Sequence, residues 1–228
     1  VTNDQGNGDA LLIGSIDWTD NTPPPTPNPI EEMGVDIIRD SAGSDIISFG
    51  DQITLDKLSF SRDIGSQDDL IIELLDNQIT IVEDQFAGNT IETLKFSDDT
   101  TADLSSVSVL LEGTDEADIL YGTNQEDVLS GGLESDIFVL SDLGAIDTIT
   151  DFSRSEGDIL DISEILSGYD PISDAITDFV QITDNGTDSV VSVDIDGGAD
   201  SFVQVATLLN VTGFTDEAAL ETSGNLIV

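Results

Sequence analysis

The chain has 228 residues, enough for one elongated domain or two compact ones, and sets 48 acidic against 5 basic side chains for a formal charge of −43. That balance makes nucleic acid and anionic membrane surfaces poor partners, since both are held through basic patches, and no apolar run approaches the ~20 residues a spanning helix needs, so no membrane insertion is expected. Cysteine and histidine are absent, which removes disulfides, thiolate or imidazole metal sites, and Ser-His-Asp or Cys-His nucleophiles.

Mean hydropathy is close to zero, at +0.02, so this is not a disordered acidic tail. Apolar core residues under a strongly anionic surface point to folding that waits for cations, with a divalent metal as the economical choice. Paired carboxylates abound, but with one tryptophan and two tyrosines to stack on sugars and no pair standing out, no enzymatic activity is expected here.

Residues 1–22 read as the end of an upstream segment, with one strand over 10–18. The sequence opens on Val1 without a basic or apolar leader, and its one methionine is Met33, so a segment of a longer protein is expected. Pro23-Pro24-Pro25-Thr26-Pro27-Asn28-Pro29 holds five of the six prolines, which makes 23–30 an extended linker or, alternatively, a packed surface loop.

Residues 31–111 read as a β domain carrying two degenerate repeats. Asp36 and Asp45 are nine apart, each two residues after a glycine, and are candidate metal ligands; an ordinary turn between Ile-rich strands would look the same. Strands are predicted over 53–60, 70–75, 78–82 and 91–96, with Asp76-Asn77 as a hairpin turn. Phe60, Phe86 and Phe96 are expected in the core.

Residues 112–140 hold three tandem nine-residue units, beginning at Gly113, Gly122 and Gly131. Aspartate recurs at Asp118, Asp127 and Asp136, and a large apolar residue at Leu120, Leu129 and Phe138. A period of nine fits neither a helix nor a hairpin. It fits one turn plus one short strand, repeated, as in a parallel β-roll. Each aspartate would point back to the turn carbonyls, and the apolar residue two positions on would point into the interior. Gly113, Asp115, Asp118, Gly122, Asn124, Asp127, Gly131 and Asp136 would then offer the oxygens that calcium prefers, roughly 6–8 of them at about 2.3–2.6 Å.

These units resemble the RTX (repeats-in-toxin) family, whose repeat is Gly-Gly-x-Gly-x-Asp-x-apolar-x. The fourth-position glycine is replaced by Glu116, Gln125 and Glu134, and the second-position glycine survives as Gly132, which implies strained or weaker turns. The strand phrases beginning at Leu58, Asp69, Gln78 and Ile91 resemble the haemolysin-type calcium-binding-related domain. Ile146-Asp147-Thr148-Ile149-Thr150-Asp151-Phe152, followed by Glu156-Gly157-Asp158, resembles the segment that closes RTX rolls. It implies Asp147, Asp151 and Asp158 as ligands of a last calcium, although a plain capping strand shows the same alternation. A helical turn is expected at 162–166, then strands over 179–183, 189–195 and 201–208 joined by turns at 184–186 and 196–198. The stretch from Phe202 to the apolar tail ending at Val228 resembles the C-terminal target domain of type I secretion substrates, which assigns 141–228 to that domain with an uncleaved export signal.

The resemblance implies an all-β fold: a parallel β-roll or β-helix of calcium-binding nonapeptides flanked by antiparallel strands. It implies Ca2+ as the bound ion, the type I secretion machinery as a partner during export, and a secreted or cell-surface location on a Gram-negative bacterium. The function it implies is a calcium-dependent folding and secretion module ending a large extracellular protein, first of all a surface adhesin. The RTX tail of a secreted lipase, protease or alginate-modifying enzyme, or a calcium-triggered surface-layer or filament protein, are the alternatives.

Overall fold

The structure, a computed structural model, describes residues 10–13, 35–39, 44–50, 52–74, 79–88, 91–166 and 168–228. The proline linker, the Asp76-Asn77 turn, Gly34 and Gly43 lie outside the described residues. Strands dominate, many of them parallel, and helix is confined to short pieces. The chain divides into two units: 1–62 with 68–106, and 63–67 with 107–228.

The first unit contains β1 (Ala10–Ile13), β2 (Val35–Arg39), β3 (Ile46–Phe49), β4 (Leu58–Asp63) but for its last residue, β5 (Ser66–Leu74) but for its first two, β6 (Ile79–Glu83), β7 (Thr93–Lys95) and β8 (Thr101–Asp103). One sheet runs β4-β5-β6-β2, with β5 antiparallel to β6 and β6 parallel to β2. The other runs β1-β3-β7-β8, parallel except at its last pair. Alternate residues of β3, β5 and β6 are buried, the period-two pattern of strands with one covered face. Phe96 is buried and stacks on Phe49 at 5.5 Å between ring centroids. Phe60 and Phe86 depart from expectation and are only half-buried. Phe86 instead lies under the Arg62 guanidinium, 5.4 Å from the ring centroid. The strand expected over 53–60 starts later, at Leu58, behind a single 3-10 turn, Leu55–Lys57.

The second unit contains β9 (Val109–Glu112), β10 (Ile119–Tyr121), β11 (Asp127–Ser130), β12 (Ile137–Val139), β13 (Asp147–Ile149), β14 (Ile159–Asp161), the single turn α1 (Ile176–Phe179), β15 (Val180–Asp184), β16 (Ser189–Val193), β17 (Val203–Leu208), α2 (Glu217–Ser223) and β18 (Leu226–Ile227). Successive strands from β9 to β14 alternate between two sheets. One sheet takes β9, β11, β13 and β17 in parallel, then β16 and β15 antiparallel; the other takes β10, β12, β14 and β18, all parallel.

Register puts like residues side by side. Leu111, Leu129, Ile149 and Leu208 form one fully buried row, and Leu120, Phe138, Leu160 and Leu226 form another. Both rows belong to one hydrophobic cluster, which also takes in residues 176–226. The repeats of 112–140 and the segment 141–228 therefore share one core. The apolar repeat positions Leu120, Leu129 and Phe138 lie inside it, as their spacing predicts.

α2 escaped the sequence reading although its signals are present. Asp216 caps its N-terminus by accepting a hydrogen bond from the Ala219 N–H, and Gly224 ends it in the left-handed conformation at φ 81°. Glu217, in its first turn, accepts the Ile182 N–H at 2.6 Å and fixes the helix on β15.

Candidate metal centre

Each nine-residue unit bends sharply after its glycine, and the glycines sit where little else fits. A Cβ on Gly131 would lie 2.3 Å from an Asp136 carboxylate oxygen, and one on Gly113 would lie 2.3 Å from the Gly131 carbonyl oxygen. Gly132, at φ 101°, would bring a Cβ within 2.0 Å of the Thr114 carbonyl oxygen. Backbone oxygens and carboxylates of one turn, and of turns two units apart, are thus brought together at spacings that a side chain would spoil.

The aspartates form two ladders. In the first, the Asp118 N–H donates to Asp136 Oδ1 at 2.9 Å, and the Asp136 N–H donates to Asp158 Oδ1 at 3.0 Å. In the second, the Asp127 N–H donates to Asp147 Oδ1 at 2.9 Å. Asp127, Asp136, Asp147 and Asp158 are all buried. Thr114 and Thr123, standing where the repeat would have its second glycine, each bind the aspartate of their own unit through N–H and hydroxyl. Asp151 accepts the N–H groups of Gly131 and Gly132, both at 3.0 Å, and the Ser130 hydroxyl at 2.7 Å. Asp158 Oδ2 accepts the Ser153 N–H at 2.8 Å.

Asp115 and Asn124 lie exposed in the bends and are not drawn into the ladders. Asp36 and Asp45 belong to the first unit: Asp36 lies within β2 in register with Thr80, and Asp45 is buried just before β3.

The electrostatics are one-sided. Burial pushes the Asp136 carboxyl above its ordinary range, and Asp158, Asp118 and Asp151 push it further, against the Asp118 N–H that lowers it. Asp158 is raised in the same way, by burial first and then by Glu156 and Asp151, against the N–H groups of Asp136 and Ser153. Buried like charges of this kind are relieved by a proton or by a cation. The donor atoms on hand are all oxygens, and the buried Gln125 Oε1 in the turn before Asp127 has no hydrogen-bond partner. This set suits a hard divalent ion.

Of the three residues replacing the fourth-position glycine, only Glu134 takes a positive φ, 69°. Glu116 and Gln125 avoid that strain. Glu134→Gly is therefore expected to stabilise the second unit by about 1 kcal/mol, read as a raised denaturation midpoint, whereas Glu116→Gly and Gln125→Gly bring no such gain.

A further group escaped the sequence reading. Among the described residues, Asp194, Asp196 and Asp200 place ligand oxygens within 4.8 Å of one another and could hold a metal ion. They lie in the turn between β16 and β17, which the Gly-Gly pair marked simply as a hairpin. The overlooked signal was Asp194-Ile195-Asp196-Gly197-Gly198-Ala199-Asp200, three carboxylates around two glycines. Burial alone would raise the Asp194 carboxyl, but the N–H groups of Asp200, Ser201 and Asp196, with the Asp196 side chain, hold it below its ordinary range. Among known proteins, no family model and no curated protein matches this chain, so the centre is read from its own residues.

Proposed function

We propose that the second unit is a parallel β-roll whose folding depends on calcium, and that the chain is the export and folding module of a large extracellular RTX-like protein, first of all a bacterial surface adhesin. The observation that carries this reading is the pair of aspartate ladders. Residues spaced nine apart in sequence alternate between two sides, and those 18 to 22 apart bond directly through backbone N–H and carboxylate. Bound calcium would supply the positive charge that these stacked turns lack.

The chain's own residues do the rest. Asp118, Asp136 and Asp158 would hold ions along one side, and Asp127 with Asp147 along the other, together with turn carbonyls. Thr114, Thr123 and Asp151 orient those turns by hydrogen bonds to backbone and carboxylate. Without cations the −43 formal charge opposes compaction, which suits passage through a narrow export channel; at millimolar extracellular calcium, binding free energy becomes folding free energy.

Calorimetric titration of the chelator-stripped chain tests the ion. Saturable calcium binding that magnesium does not reproduce supports the reading, because magnesium sheds its water reluctantly and is not met by protein cages of this kind. Equal heats with both ions, or none, would refute it.

A further inference from the structure

The C-terminal strand reaches the aspartate ladder through one side chain. Asn225 is buried between α2 and β18, and its Nδ2 donates to the Asp158 backbone carbonyl at 2.7 Å. Its Oδ1 accepts the Ser223 hydroxyl at 2.8 Å, and its own N–H donates to the Leu220 carbonyl at 3.0 Å. The Asn225 carbonyl in turn accepts the Leu160 N–H, and the Ile227 carbonyl accepts the Ile162 N–H, both at 2.9 Å. Leu226 thereby closes the buried row begun by Leu120.

The same Asp158 residue faces the other way with its carboxylate, accepting the N–H groups of Asp136 and Ser153. One residue thus serves the ladder with its side chain and the tail with its carbonyl.

We propose that Asn225 is a positioning residue that couples docking of the C-terminal tail to cation occupancy of the Asp136–Asp158 turn. This rests on the calcium reading above. An ion that fixes the Asp158 turn also fixes the carbonyl that Asn225 needs, so the tail docks more firmly when the ion is bound. Linkage then requires the reverse: a docked tail raises the affinity of that turn by the same factor. Tyr169, whose hydroxyl donates to Glu221 Oε1 at 2.9 Å, and Glu217 also hold the tail, but neither touches the ladder.

The test is hydrogen exchange at the Leu160 and Ile162 amides of the full chain, in calcium and in chelator, beside calcium affinity by calorimetry. In Asn225→Ala the protection that calcium adds is expected to fall roughly tenfold, with an equal loss of affinity at one site. Ser223→Ala, which frees the Asn225 side chain and also removes the Ser223 hydroxyl's bond to the Leu220 carbonyl, should shift both readouts the same way by less and serves if Asn225→Ala does not fold. Glu217→Ala, which removes the acceptor of the Ile182 N–H, should lower protection equally in calcium and chelator and leave affinity unchanged. If Asn225→Ala behaves like Glu217→Ala while the unaltered chain binds calcium, the coupling is wrong and the calcium reading stands. If the unaltered chain binds no calcium, both fall together.

Discussion

Phe138→Ala is expected to destabilise the second unit by about 3–5 kcal/mol, enough to abolish its cooperative unfolding transition in a domain of ordinary stability. Phe138 is fully buried in the middle of the row that runs Leu120, Phe138, Leu160, Leu226. Its ring lies 6.0 Å from that of Phe152, which meets Phe214 edge-on at 5.4 Å. Removing the ring leaves a cavity among strands β10 to β13, which are only three or four residues long, so their neighbours have little freedom to close over it. Denaturant unfolding in saturating calcium reads the effect. A loss below about 1 kcal/mol would mean that this row is not the structural centre of the unit.

Asp136→Asn is expected to act in opposite directions with and without calcium. Asparagine keeps an Oδ1 to accept the Asp118 N–H, so the ladder geometry survives the change. It removes a buried negative charge that Asp158, Asp118 and Asp151 oppose. In chelator the variant should therefore fold more readily than the unaltered chain, read as more β-structure by circular dichroism. In calcium it should bind the ion about tenfold more weakly or worse, since ligand charge sets affinity for a hard cation, and it should melt lower.

The same cause fixes a pH dependence. In the folded, metal-free chain Asp136 and Asp158 titrate above the ordinary 3.8. Their contribution to stability is fully present below that value and is lost as pH rises through the raised folded values. These two carboxyls therefore favour folding of the metal-free chain near pH 4 over pH 7, against Asp184 and Asp194, whose lowered values favour the higher pH, and calcium should flatten their contribution. A pH dependence of folding in chelator that Asp136→Asn leaves unaltered would contradict this assignment.

How much of this was legible in the sequence depends on the range of the interaction. The nine-residue phase predicted the buried positions Leu120, Leu129 and Phe138 because a turn and a short strand are local. The antiparallel run β15, β16, β17 was legible for the same reason: Gly186 and Gly197, both at positive φ, mark its turns. Pairings of β13 with β17 and of β14 with β18 join residues some sixty apart, and no local pattern announces them. That is why 112–140 and 141–228 read as separate domains yet share a core.

Chemistry was less legible than fold. Asp118, Asp127 and Asp136 stood out by periodicity, and the structure sets them in ladders with Asp147 and Asp158. Asp194, Asp196 and Asp200 had no repeat to mark them, and a hairpin explained their glycines sufficiently. Asn225 carried no signal at all, because its role depends on a carbonyl 67 residues earlier in the chain.

The central claim is that cation binding and folding of the second unit are one event. Far-UV circular dichroism of the chelator-stripped chain, titrated with calcium and separately with magnesium, tests it most directly. The account predicts a cooperative gain of β-structure at sub-millimolar to millimolar calcium and none with magnesium. A spectrum already β-rich in chelator and unchanged by calcium would contradict it, leaving the ladders as a scaffold that needs no ion.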